Sequence, residues 1–151
     1  MVRSIRLIGR LAWARRGAAA AEFALVLPVL LTVFFGIVKF GIALNHNLAL
    51  TDGVRAGSRQ LAIARSSNTA WTDAKARFAA ATPLLTPASV VLTLSVNGVA
   101  CTSDSDCKTK LSTAAGQPAA VTATYLCDLV IMGVDFAPAC RLSSQTAERV
   151  E

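Results

Sequence analysis

Residues 23–38 read Phe-Ala-Leu-Val-Leu-Pro-Val-Leu-Leu-Thr-Val-Phe-Phe-Gly-Ile-Val, sixteen consecutive positions without a charged side chain. After Lys39 the apolar character resumes as Phe40-Gly41-Ile42-Ala43-Leu44. A helix from Phe23 to Leu44, rising 1.5 Å per residue, is about 33 Å long, enough to cross a hydrocarbon core of about 30 Å. The stretch therefore predicts a spanning helix, with Lys39 near its far end, where a long aliphatic stem carries the ammonium to the interface. Pro28 removes one intrahelical donor and predicts a bend near Ala24 to Leu27, a kink that membrane helices tolerate and that helps helices bundle.

Working outward, the residues before the span are basic. Arg3, Arg6, Arg10, Arg15 and Arg16 occupy positions 1–17 with no acid among them, so this short stretch carries +5 of the chain's formal +6. The remaining ten Lys or Arg are balanced by nine Asp or Glu. A nucleic-acid module needs a basic face on a folded surface, and residues 18–151 hold no such cluster. The arginines instead orient the span, with the N-terminus cytoplasmic and everything after about Asn45 outside. A cleavable secretory signal shares the basic start, but its apolar region is about 7–15 residues and closes on a small-x-small site, which this run lacks. At 151 residues, 54% hydrophobic and 16% charged, the chain has room for one anchor and one small domain, and is too apolar for disorder.

At the membrane entrance the chain reads Arg15-Arg16-Gly17-Ala18-Ala19-Ala20-Ala21-Glu22-Phe23. Glu22 alone is explained by the helix dipole, which favours an acid in a first turn. The combination of basic leader, glycine, four small residues, glutamate and an aromatic opening a span resembles the class III leader of type IV prepilins, and specifically the TadE-like family of minor pseudopilins of tight-adherence (Flp) pilus systems. That pattern is a glycine, four residues, then Glu-Tyr; Phe23 stands here in place of Tyr. The resemblance continues through Pro28, through Phe35 to Gly41 and through Ala49 to Arg59, and returns more weakly at Thr146-Ala147-Glu148-Arg149-Val150-Glu151. It is strong over about Arg15 to Arg65.

The resemblance implies removal of the leader by a membrane-embedded prepilin peptidase between Gly17 and Ala18. Glycine has no Cβ and lets the backbone extend into a tight cleft. Cleavage frees an amine on Ala18, and a carboxylate in low dielectric needs a partner, so the Ala18 amine of a neighbouring subunit is the expected partner of Glu22. That pairing, with Phe23 beside it, sets subunit register. The implied partners are the peptidase, other pilus subunits and assembly-platform proteins, and the lipid bilayer.

Beyond the membrane, helical periodicity continues, with Leu44, Leu48, Val54, Leu61 and Ala62 on one broad face and Asn47, Asp52, Arg55 and Arg59 mostly elsewhere. The first element is thus one long helix over about 18–64. Ser66-Ser67-Asn68 ends it, and Thr69 is placed to cap a second helix over Ala70 to Ala80, with Trp71, Ala74 and Phe78 docking it on a sheet. Residues 89–96 alternate Val90, Leu92, Leu94 and Val96 as a strand, Asn97-Gly98 is a hairpin turn, and Val99 to Cys101 start the return. A polar loop to Pro118 is expected, then strands over Ala120 to Leu126 and Arg141 to Val150. The fold class is α+β: a long transmembrane helix continuing into an external domain with a second short helix and an antiparallel sheet of about four strands.

All four cysteines, Cys101, Cys107, Cys127 and Cys140, fall on the side expected to be oxidising, which favours disulfides. Three connectivities are open; the local scheme, Cys101 with Cys107 and Cys127 with Cys140, closes a single loop each. A zinc site competes poorly, since no CxxC is present and His46, the one histidine, lies at the membrane exit as an interfacial polar residue. Asp104-Ser105-Asp106 offers acids to a weak cation, but a solvated loop tip is expected there, because calcium needs six or more oxygens. One histidine, scattered acids and no P-loop or Rossmann glycines leave no catalytic constellation. No cofactor or metal is expected, and the chain reads as an enzyme's substrate rather than an enzyme.

The expected organisation is a basic cytoplasmic leader at 1–17, a transmembrane helix at 18–44 and a periplasmic α+β domain at 45–151, in a bacterial inner membrane. The rivals are an uncleaved single-pass scaffold or sensor and a secreted domain behind a signal peptide.

Overall fold

The computed structural model describes residues 3–127, 129–131 and 133–151, with side chains from Ala18 onward. The first element, α1, runs without interruption from Arg3 to Ile63 and carries Pro28 inside it. It begins earlier than the expected residue 18. Its C-terminal end is within a residue of expectation, closed by a turn in which the Ala64 N–H donates to the Leu61 carbonyl. Helix α2 follows at Ala70–Ala81, a 3-10 turn at Pro87–Ser89, then strands β1 (Val90–Val96) and β2 (Val99–Cys101). Next come helix α3 (Asp104–Ser112), strand β3 (Pro118–Leu126), the short strands β4 (Val130–Ile131) and β5 (Val134–Asp135), and strand β6 (Arg141–Arg149).

Four strands form an antiparallel sheet in the order β2-β1-β3-β6, and β4 and β5 pair as a separate hairpin. Alternation sets the register. Val90, Leu92, Leu94 and Val96 face inward opposite Tyr125, Ala123, Val121 and Ala119. Small residues on β3 let α1 lie close across the sheet; β6 continues that inner face with Leu142, Ser144, Thr146 and Glu148, all half-buried. The β1–β2 turn is Asn97-Gly98, both at positive φ (50° and 77°), the conformation for which this pair is selected in a two-residue hairpin.

The upper half of α1 is the spine of the core. Leu50, Val54, Ser58 and Leu61 are fully buried at helical spacing, with Ser58 Oγ donating to the Arg55 carbonyl at 3.1 Å. Leu44 and Leu48, expected on that face, are instead exposed, because the sheet and α2 contact the helix from a different side. Helix α2 docks on α1 rather than chiefly on the sheet. A Cβ on Gly53 would stand 2.3 Å from Thr82 Cγ2 and 2.9 Å from Phe78 Cε2, so the hydrogen at that position is what lets the two helices meet. Trp71 packs on the rim of the same core, with Lys75 Nζ 4.0 Å from its ring centre.

The expected polar loop between Cys101 and Pro118 is largely helix α3. Ser103 caps it, accepting from the Asp106 N–H, and Cys107 and Leu111, one turn apart, are buried. The chain end is pinned to α1: Val150 is buried, and the Glu151 N–H donates to the Ala62 carbonyl at 3.2 Å.

Candidate functional site

The candidate site is the membrane-proximal half of α1 and the protein surfaces that meet it. None of residues 18–44 is buried, and apolar side chains are exposed all round the cylinder: Phe23, Leu25, Val26, Val29, Leu30, Val33, Phe34, Ile37 and Phe40. Helix length and composition suffice to cross a membrane. A helix apolar on every side has no use for water on any of them. Within this half, Ala18, Glu22 and Phe23 are exposed and touch no part of the folded domain, while Thr32 Oγ1 donates to the Pro28 carbonyl at 2.8 Å. The side of the expected cleavage site contributed by Gly17 lies outside the residues whose side chains are described.

Where α1 leaves the apolar stretch, its surroundings change. His46 is half-buried, its ring edge-on to Tyr125 at 5.2 Å between centroids, which places the lower end of the sheet beside this turn of the helix. One turn higher, Ser144 Oγ reaches Thr51 Oγ1 at 3.3 Å. Above that a shallow polar groove between α1 and β6 is lined by Asp52, Arg55, Arg59, Thr146 and Glu148. It holds mixed charge without a nucleophile and base in contact, and among the described residues no group of three His, Cys, Asp or Glu is positioned to hold a metal.

Two disulfides staple the domain: Cys101 to Cys107, with Cα atoms 5.1 Å apart, and Cys127 to Cys140 at 5.4 Å. The local pairing is thus the one present. Cys101 and Cys107 are buried in the core, tying α3 to strand β2. The second bond closes the loop that carries the β4–β5 hairpin, with the Cys127 N–H donating to the Cys140 carbonyl.

The Asp104-Ser105-Asp106 stretch is not a loop tip; it opens helix α3. Asp104 accepts from the backbone N–H groups of Trp71 and Thr72 at 2.8 and 2.9 Å and from Thr72 Oγ1 at 2.6 Å, so it caps α2 from another helix. The Thr72 hydroxyl and amide, with the Trp71 amide, hold its carboxyl below the usual aspartate range. Thr69, the expected cap, instead donates its hydroxyl to Asp73 at 2.7 Å. Asp106 accepts from the Thr102 N–H and pairs with Lys110 at 2.8 Å, and the Lys110 hydrogen bond is the leading reason its carboxyl is also depressed. Sequence held a signal for α3 in the Ser103-x-x-Asp106 cap pattern followed by Cys107 and Leu111; nothing in it paired Asp104 with a helix thirty-two residues earlier.

Residues 17–59 match the family model described as TadE-like protein. This region of the chain is TadE-like. The match begins at Gly17 and ends within α1, so it covers the exposed apolar half and most of the buried half but none of the sheet. It implies a protein associated with a tight-adherence pilus. No curated protein and no solved structure matches the chain.

Proposed function

We propose that this TadE-like chain is a minor pseudopilin of a tight-adherence pilus system, cut between Gly17 and Ala18 by a prepilin peptidase and acting in pilus assembly. In this reading the leader is cytoplasmic, residues 18–44 cross a bacterial inner membrane and the disulfide-stapled domain is periplasmic. The chain is a substrate of the peptidase and does no chemistry of its own. The supporting observation is the junction itself: Gly17, four alanines, Glu22 and Phe23 open a helix whose next twenty residues make no core contact. A free Ala18 amine and an exposed Glu22 on such a helix are matched for pairing between subunits, and among the described residues Glu22 has no competing partner.

Intact mass and N-terminal sequencing of the purified membrane protein test the reading. Cells with the peptidase are expected to yield a chain beginning at Ala18 with the span retained, and cells without it a chain that keeps the five arginines. Gly17→Val, which puts a β-branched side chain where the cleft accepts hydrogen, is expected to leave the precursor uncut. An uncut chain in wild-type cells would support a scaffold or sensor instead, and loss of the whole apolar segment an ordinary signal peptide.

A further inference from the structure

The loop closed by Cys127 and Cys140 is unusually apolar for a domain exterior. Val134 and Phe136 are 57% and 61% exposed, Val130 is 37% exposed, and Leu126, at the strand end that feeds the loop, is 55% exposed. A disulfide and the β4–β5 pairing hold these side chains outward in a fixed shape. The hairpin does not cover the core. It hangs below the sheet against the apolar half of α1: Ile131 Cδ1 would lie 3.9 Å from a Cβ on Gly36, and Phe35, Val38, Lys39 and Ile42 line the groove between helix and hairpin with Val130 and Ile131.

That placement fixes the hairpin's height relative to a bilayer. If the hydrocarbon ends at Lys39, Gly36 lies about 4.5 Å inside it; if it ends at Leu44, about 12 Å, at 1.5 Å per residue. Either boundary puts Ile131 at or below the interface, in the depth range that amphipathic surface segments occupy. The exposed Asp135, paired in register with Val130, limits burial to that interfacial zone, since a carboxylate is costly deeper in hydrocarbon. Arg141, exposed and paired with Leu126, puts a cation at the same end of the sheet.

We propose that the Cys127–Cys140 loop is a second membrane contact, its β4–β5 hairpin lying in the interfacial layer of the leaflet that faces the folded domain. The occupant of this apolar surface is lipid, because the surface is continuous with a helix that itself sits in lipid. Two attachments, helix and loop, fix the tilt of the whole molecule against the bilayer, which a helix alone leaves free. The inference rests on α1 crossing the bilayer.

The test is nuclear magnetic resonance of the full chain, methyl-labelled at Ile, Leu and Val, in phosphatidylcholine nanodiscs. Relaxation is read with a phosphatidylcholine bearing a nitroxide high on its acyl chain, and separately with a water-soluble gadolinium chelate. Val99, exposed at the far hairpin of the sheet, serves as the aqueous control, and Leu30 and Val33 report the span. The expected result is loss of the Ile131 and Val134 methyl signals with the lipid nitroxide and their survival with the chelate, with Val99 behaving the opposite way. Survival of Ile131 and Val134 with the nitroxide and their loss with the chelate, while Leu30 and Val33 are broadened by lipid, would overturn the loop contact and leave the span intact. Protection from both probes would also overturn it, since a second copy of the chain then covers the hairpin. Leu30 and Val33 unaffected by the nitroxide would refute the span, and the loop proposal with it.

Discussion

The two halves of α1 are one continuous helix with opposite relations to the rest of the chain. From Ala18 to Leu44 no residue is buried, and the exposed side chains are Phe, Leu, Val and Ile on every side. From Leu50 to Leu61 one face is fully buried, with Gly53 and Gly57 pressed against α2, while Asp52, Arg55 and Arg59 face outward. The lower half depends on surroundings the chain does not supply; the upper half makes its own. Substitutions in the lower half should therefore alter processing and assembly without unfolding the domain, and substitutions in the upper half the reverse.

The largest effect is expected at Glu22. Glu22→Ala should leave the domain's thermal unfolding midpoint and membrane insertion unchanged but abolish or strongly reduce co-purification with pilus subunits, because under the proposed function alanine removes the acid that pairs with a neighbour's Ala18 amine. Normal co-purification would return Glu22 to the role of a helix-start acid. On the folded side, replacing Cys127 and Cys140 together by serine should cost roughly 3 kcal/mol, the chain-entropy value for a loop of that length. Denaturant melts read the cost, and mass analysis of the wild type should find no free thiol.

Gly53→Val tests whether the upper half is distinct because two helices meet there. The added carbons must displace Phe78 and Thr82, so a loss of roughly 1–3 kcal/mol is expected in the same melts. Gly41→Val, where a Cβ meets nothing within 4 Å, is expected to leave the folded domain unchanged. Equal effects of the two would erase the difference between the halves.

The smallest effect is expected at Asp104, and it depends on pH. Its carboxyl is depressed in the folded chain by the Thr72 hydroxyl and amide and the Trp71 amide. A depressed folded value means that the carboxylate's contribution is complete above the unfolded value near 3.9 and lost as pH falls through the folded value beneath it. Asp104→Asn should lower the melting midpoint at neutral pH and remove part of its decline in acid. Identical acid limbs for the two proteins would show that the cap does not depend on charge.

Much of this was legible from local pattern. A sixteen-residue uncharged run needs no partner to be recognised, because length and hydropathy alone decide whether a helix can cross hydrocarbon. Alternation over Val90 to Val96, the Asn97-Gly98 turn and two short cysteine loops are likewise local, and each appears in the structure as read. One error was local, helix α3 read as a polar loop despite its Ser103 cap; the others fell where distant segments meet. Leu44 and Leu48 repeat at helical spacing like core residues, but which face of α1 is covered depends on the side from which α2 and the sheet approach.

The sequence by itself determined a helix long and apolar enough to span a membrane, its TadE-like junction, the strand alternation and the fold class, since these follow from patterns local in the chain. Only the tertiary structure decided that α2 rests on Gly53, that Asp104 caps a helix thirty-two residues away, and that the Cys127–Cys140 loop hangs beside Gly36. Hydrogen bonds and van der Waals contacts act over a few ångströms of space, and separation along the chain does not reveal which residues will be that near.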